Sequence, residues 1–339
     1  MILFLVKLVF SGLALWWGIH QIDFVHLSTI LKEMPPHIYG SAFLLMCCSI
    51  SINGLRLYFI AKSLTLKESF KALHQITWIG MFFNQLLPGG IGGDAYRIYS
   101  LTKGGNGLLG TSAIFWDRAL GIICMGLLSM PMLLTIKFPY LIQLLSTVIY
   151  SILFGGLMIL TIFAKYPIFQ KYKLMQNLWK IFASVKHIIC SPATLIATTV
   201  QALVNFCVFY LLVIALNVPL NFAASSILFT MSLFVVIVPI SISGWGLREG
   251  FFTASFKALG LPPEMGFTLG LLQGLLMLST GAVGAIFYIF SKKTKNSLAN
   301  SSKKDTIQAS LNIFMLLTNS CVTALPLPAS ICAKACIKC

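Results

Sequence analysis

The chain has 339 residues, 58% of them hydrophobic and only 9% charged, with a mean hydropathy of +0.91. An ordinary soluble domain carries about 25% charged residues, so this composition excludes a soluble globular protein and requires lipid as solvent. The 24 Lys and Arg against 8 Asp and Glu give a net charge of +16. These cations lie mostly in short segments beside apolar runs, which fits positive-inside topology and contact with anionic headgroups. No compact basic domain exists to hold nucleic acid.

A helix needs about 20 apolar residues to cross the hydrocarbon core. In chain order the predicted spans are Leu3–Ile19, Ile38–Ile60, Gly107–Ile136, Leu141–Ala164, Pro192–Asn217 and Met265–Phe290. The first lacks a small-residue cleavage site before Asp23 and reads as a retained helix rather than a removed signal. Trp16 and Trp17 within it mark a membrane interface. Two further apolar stretches are interrupted. Ala72 to Leu101 breaks at Pro88, Gly89, Gly90, Ile91, Gly92 and Gly93, and Phe222 to Leu259 breaks between Pro239 and Gly246, across Ser241, Ser243 and Gly244.

Arms of about 10–18 residues are short for a span and suit re-entrant helices. Proline removes a backbone donor and clashes with the preceding turn. The groups it frees are tolerated at membrane depth only inside protein or beside a watery cavity. Asn84 and Gln85, just before Pro88, can satisfy some of them. The predicted fold is an all-α polytopic membrane bundle of about six spanning helices plus two re-entrant hairpins. It occupies residues 1–295, with inverted-repeat halves of about 1–137 and 141–291. The tail 296–339 starts polar, turns apolar at Leu311–Leu317, and is assigned no function.

Charge placement tests this topology. With the N-terminus cytoplasmic and each interrupted stretch returning to its own side, the cytoplasmic segments hold Lys62, Lys67, Lys71 and Lys103. They also hold the lysines from Lys165 to Lys186, and Lys292, Lys293 and Lys295. The opposite side holds Lys32 and Lys137, with Asp23, Glu33 and Glu264. Treating either interrupted stretch as a full span destroys this bias. The two breaks also resemble each other, since Pro88 to Arg97 and Pro239 to Arg248 are both Pro, eight residues, then Arg. Repeated broken helices meeting near the midplane are a transporter signature.

Charged residues inside such segments are functional candidates. Asp94 and Arg97 follow the first turn, Arg248 and Glu249 the second, and Asp117 and Arg118 are expected to open the long helix after the first hairpin. A helix restarting after a glycine turn offers free N–H groups, and an arginine fork holds a phosphate with paired hydrogen bonds. The alternative is that Arg97–Asp94 and Arg248–Glu249 pair and close their turns. Asn53 and Arg56 share one helix face at i, i+3 and either line a cavity or pair across helices. The histidines show no metal spacing, and Cys332, Cys336 and Cys339 match no zinc pattern. No Walker A loop, HExxH or GxSxG occurs, so neither a cofactor nor an enzymatic reaction is expected.

Three motifs together resemble one family. They are Leu87-Pro-Gly-Gly-Ile-Gly-Gly-Asp-Ala-Tyr-Arg97, then Trp116-Asp-Arg118 with Gly121, then Pro239-Ile-Ser-Ile-Ser-Gly-Trp-Gly-Leu-Arg-Glu249. Over about residues 1–295 the chain is similar to the membrane domain of lysylphosphatidylglycerol synthases, a family that includes stand-alone members. In two-domain members a soluble domain lysinylates phosphatidylglycerol and the membrane domain moves the product across the bilayer. Some stand-alone relatives are linked to polyprenyl-phosphate sugars. The resemblance implies lipid translocation, with Asp94, Arg97, Arg118, Arg248 and Glu249 on the family's motif positions. With some 45 residues after the last span, an aminoacyl-transfer domain is not expected in this polypeptide. The expected partners are membrane lipids, an anionic phospholipid or a polyprenyl phosphate, in the inner membrane with both termini cytoplasmic. The alternative is a non-catalytic partner of a lipid-modifying enzyme or glycosyltransferase, docking through the Lys165–Lys186 segment. A secondary transporter for a soluble anion is a third reading.

Overall fold

The computed structural model describes residues 35–86, 92–102, 107–136, 138–140, 142–144, 146–151, 155, 173–237, 241 and 243–295. The predicted span Leu3–Ile19, much of Leu141–Ala164, the tail 296–339 and the turn residues Pro88, Gly89, Gly90 and Pro239 lie outside the described residues.

Among the described residues the elements are helical. They are α1 Pro36–Ser63, α2 Phe70–Leu86, α3 Gly92–Thr102, α4 Gly107–Ser129 with a 3-10 turn Pro131–Leu134, α5 Lys173–Ala183, α6 Val185–Ile189, α7 Pro192–Ala215, α8 Phe222–Ile237, α9 Leu247–Ala258 and α10 Pro263–Lys295. Pro36 and Pro192 stand in the first turn of α1 and α7, where a missing N–H costs nothing and a fixed φ favours the helix. Four stretches are long and apolar enough to cross a membrane: Pro36–Ser63, Gly107–Leu134, Pro192–Ala215 and Pro263–Phe290. They coincide with four of the six predicted spans. The chain is a multi-pass membrane protein with an all-α bundle fold.

Large apolar side chains cover the outside as well as the inside. Leu44, Leu134, Ile196 and Phe290 are each more than half exposed, an arrangement natural where the surroundings are lipid rather than water. Inside, Phe206, Phe209, Phe252 and Phe256 are fully buried between α7, α9 and α10, and the Phe209 and Phe252 rings stack at 5.3 Å.

Both interrupted stretches fold as antiparallel hairpins. In the first, Asn84 near the end of α2 meets Gly93 at the start of α3, and Thr77, two turns back, meets Arg97. In the second, Val236 near the end of α8 lies against Gly244, and Ala224 near its start shares a cluster with Ala258 at the end of α9. The hairpins enter from opposite ends of the bundle. The open end of α2–α3 lies beside the C-terminal part of α10, where Phe287 touches His74 and Trp78. That of α8–α9 lies beside the start of α10, where a Cβ at Gly266 would strike the Phe252 backbone.

The helix order is therefore the same twice, with α1, hairpin, α4 and then α7, hairpin, α10. Lys62, Lys67, Lys71, Lys180 and Lys186 sit at the ends of helices beside the first hairpin's opening. Lys257 sits at the opposite end, near the close of α9.

Candidate functional site

The first hairpin builds a buried ionic network. The Asn84 side-chain oxygen accepts the Gly93 N–H at 2.8 Å, satisfying one of the open donors at the start of α3. Gly93 lies so close to Gly80 that a Cβ there would overlap the Gly80 carbonyl. One turn on, Arg97 is buried with its Nε pressed toward Gly80, where any side chain would collide with the guanidinium. Its Nη1 lies 3.5 Å from Asp117 Oδ2 and 3.8 Å from Asp94 Oδ1, and its Nη2 donates to the Thr77 carbonyl at 3.4 Å.

Asp117 is shared. Its Oδ1 accepts Arg56 Nε–H at 2.8 Å, and Arg56 in turn lies over Gly121. Asp94 is shared as well, pairing with Arg118 through its other oxygen. The side chains of Arg56, Arg97 and Asp117 are at most 7% exposed, Asp94 is 14% exposed and Arg118 41%. The network thus runs outward from a buried interior to Arg118. Among the described residues three arginines thus share two aspartates. Arg97 Nε is buried and has no hydrogen-bond acceptor among the described residues.

The second hairpin builds a closed pair instead. Glu249 Oε2 accepts the Gly246 N–H at 2.6 Å, the reach-back of an acidic residue in a capping box. Its Oε1 accepts Arg248 Nη2–H at 2.7 Å. Arg248 Nε–H lies 3.0 Å from the Gly270 carbonyl, and its guanidinium lies over the Trp245 ring at 5.2 Å. Both side chains are at most 3% exposed. The pair is neutral and its donors are engaged. The turn before it is left-handed at Ser243 (φ 52°), Gly244 (φ 81°) and Gly246 (φ 85°). A Cβ at Gly244 would also strike Val236.

The two turns meet. Ser243 Oγ lies 2.9 Å from Gln85 Oε1 and 3.1 Å from the Asn84 carbonyl. The meeting point is halfway along α10. Gly274 faces Arg248 and Trp245, and Gly281 faces Gln85, and these glycines straddle the middle of the 28-residue apolar stretch Pro263–Phe290.

Of the residues predicted from sequence, Asp94, Arg97 and Arg118 come together in one network, and Arg248 with Glu249 form a second set. Asp117 and Arg118 do not open their helix as expected. They lie near the middle of the 23 residues of α4, because that helix already starts at Gly107. Asp117 and Arg56 join the network at its most buried point. The i, i+3 placement of Asn53 and Arg56 signalled an inward polar face, and of its two readings Arg56 takes the cross-helix pair. Among the described residues no group of three His, Cys, Asp or Glu could hold a metal ion.

Residues 4–284 match the family model described as the lysylphosphatidylglycerol synthase transmembrane region. The chain belongs to this family. A similar curated relative is the UPF0104 membrane protein MJ1595 of Methanocaldococcus jannaschii, 23% identical over 289 residues, covering 75% of this chain and 85% of that protein. No solved structure matches. Both hairpins and all the charged residues described above fall within the region shared with the lysylphosphatidylglycerol synthase family.

Proposed function

We propose that this chain moves a lipid with an anionic headgroup across the inner (plasma) membrane without chemically altering it. The lysine-rich end faces the cytoplasm, and the two hairpins re-enter the bilayer from opposite sides. The observation that carries this reading is the burial of five interlinked charged side chains, Arg56, Asp117, Arg97, Asp94 and Arg118, with Arg97 Nε lacking an acceptor among the described residues, beside the place where two broken helices meet. Buried charge is costly unless paired, and intramembrane ionisable groups are functional sites by default. An anionic headgroup enters at the half-exposed Arg118 and reaches toward the unsatisfied Arg97 Nε–H while its acyl chains stay in lipid.

Arg118 is the first contact, being the exposed end of the set, and Arg97 is the second. Arg248 and Glu249 hold the second turn in shape. Their bonds must open before Arg248 can reach a phosphate, so they serve as positioning residues. Membership in a lysylphosphatidylglycerol synthase family supports lipid as the cargo, either an anionic phospholipid or a polyprenyl phosphate. The enzyme-partner reading draws less support. The described part of its docking segment packs onto the bundle, where the Trp116 indole N–H donates to the Ile181 carbonyl at 2.7 Å.

Leaflet exchange of a fluorescent anionic lipid in proteoliposomes, read with a membrane-impermeant quencher, tests the proposal. Wild-type protein is expected to exchange the lipid well above empty vesicles. Arg118→Gln, which leaves the buried part of the network intact, is expected to slow exchange at least about tenfold, the scale of one lost charge-assisted contact. Equal exchange by the variant excludes the assigned path. No exchange by wild type with any anionic headgroup excludes translocation.

A further inference from the structure

A second basic feature lies apart from the ionic network, at the lysine-rich end of the bundle. α1 ends at Ser63, and Thr65 takes a left-handed conformation (φ 61°) that turns the chain toward α2. α5 and α6 fold back over this end, held to α4 by the Trp116–Ile181 hydrogen bond and by edge-on packing of Phe182 against Phe115 and Trp116. Between them lies a pocket of about 350 Å³ lined by Ser63, Thr65, Leu109, Lys180, Ser184 and His187.

The three hydroxyls donate to nearby backbone carbonyls, those of Phe59, Leu64 and Ile181, so their oxygens are oriented rather than free to rotate. The donors left to serve a ligand are the exposed Lys180 ammonium and the His187 ring. Lys62 and Lys186, next in the chain to two lining residues, are exposed on the same end, where Glu68 is the acid nearest in sequence. Apolar Ile189 at the end of α6, and Leu195 and Ile196 near the start of α7, are 49%, 42% and 63% exposed. They are exposed apolar side chains within nine residues of His187 in the chain.

We propose that this pocket binds the phosphate of an anionic phospholipid from the adjoining leaflet, as a site separate from the Arg97–Arg118 network. Lys180 and His187 hold the phosphate, and the acyl chains lie along exposed apolar side chains such as Ile189, Leu195 and Ile196. A basic pocket between helix ends is the geometry by which membrane proteins select anionic over zwitterionic headgroups, and charge-assisted hydrogen bonds supply the preference. The occupant is a lipid rather than a free phosphate because the pocket adjoins exposed apolar surface at the ends of spanning helices.

Native mass spectrometry of the full chain, equilibrated with phosphatidylglycerol or phosphatidylcholine, tests this independently of transport. Wild type is expected to retain phosphatidylglycerol in preference to phosphatidylcholine. Lys180→Ala/His187→Ala is expected to weaken that retention at least about tenfold. Lys180→Arg and the control Lys71→Ala, which alters an exposed lysine outside the pocket, should stay within about twofold of wild type. Unchanged retention in the double variant, or equal retention of the two lipids, overturns the site. Loss of the retained lipid with Arg118→Gln instead moves it to the central network. Displacement by an equimolar amount of glycerol phosphate overturns the lipid commitment.

Discussion

The two hairpins solve the same folding problem with different electrostatics. Each ends in a turn rich in small residues and restarts a helix with an arginine near its N-terminus. In the second hairpin the next residue is Glu249, which caps the helix and neutralises Arg248 at once, so the charge is settled within one turn. In the first, the nearest acid, Asp94, is shared with Arg118, and Arg97 must look to Asp117 on another helix. A local pair makes a self-contained turn. A set distributed over α1, α3 and α4 makes those helices depend on one another. The charges of the first hairpin are thus shared between helices, and those of the second are settled within its own turn.

Removing Asp117 attacks this contrast hardest. Asp117→Ala strands Arg56 and Arg97 without their shared partner, and loss of one member of a buried ion set costs about 3–5 kcal/mol. Thermal unfolding in detergent should show a large drop. Adding Arg56→Met should recover part of it, because an apolar residue replaces an orphaned charge.

Glu249→Ala should cost roughly 3 kcal/mol by the same reasoning, but the compensation differs. Here Arg248→Met alone, in the Glu249→Ala background, should restore most of the loss, since no third helix shares the pair. If both hairpins respond alike to their double variants, the distinction between a local and a distributed pair fails.

Gly80→Ala places a methyl against the Arg97 guanidinium and should cost about 1–3 kcal/mol as overpacking, with transport falling as Arg97 is displaced. Smallest is Ser243→Ala, which removes the hydroxyl bond between the turns and should cost about 1 kcal/mol. The alanine keeps the left-handed backbone demand of Ser243 while the contact to Gln85 is lost. A crosslink between cysteines placed at 85 and 243 should form in a Ser243→Cys/Gln85→Cys protein if the turns meet.

The four described spans were legible because long apolar runs bounded by polar residues need no tertiary context to be recognised. The hairpins were legible for a related reason. Proline and clustered glycine interrupt an apolar run visibly, and lysine placement decided that each arm returns. What a sequence could not display was which helices lie side by side. Asp117 is 61 residues from Arg56 and 20 from Arg97, and only the crossing of α1, α3 and α4 makes it their common partner. Its misplacement at a helix opening came from weighting the charged pair over the apolar run that begins at Gly107. The Lys165–Lys186 segment was read chiefly for its charge. Part of it forms α5 and the start of α6, and α5 buries Ile181.

One feature of α10 reaches beyond packing. Gly270 and Gly274 press on the second hairpin, and Gly281 and Gly284 press on the first, through positions with no side chain to interlock. Smooth surfaces of this kind let a helix slip or turn against its neighbour without first unmeshing. Because the same rod bears on both hairpins, on either side of its midpoint, a bulky side chain introduced at any of these four positions displaces one hairpin through a helix that the other also leans on.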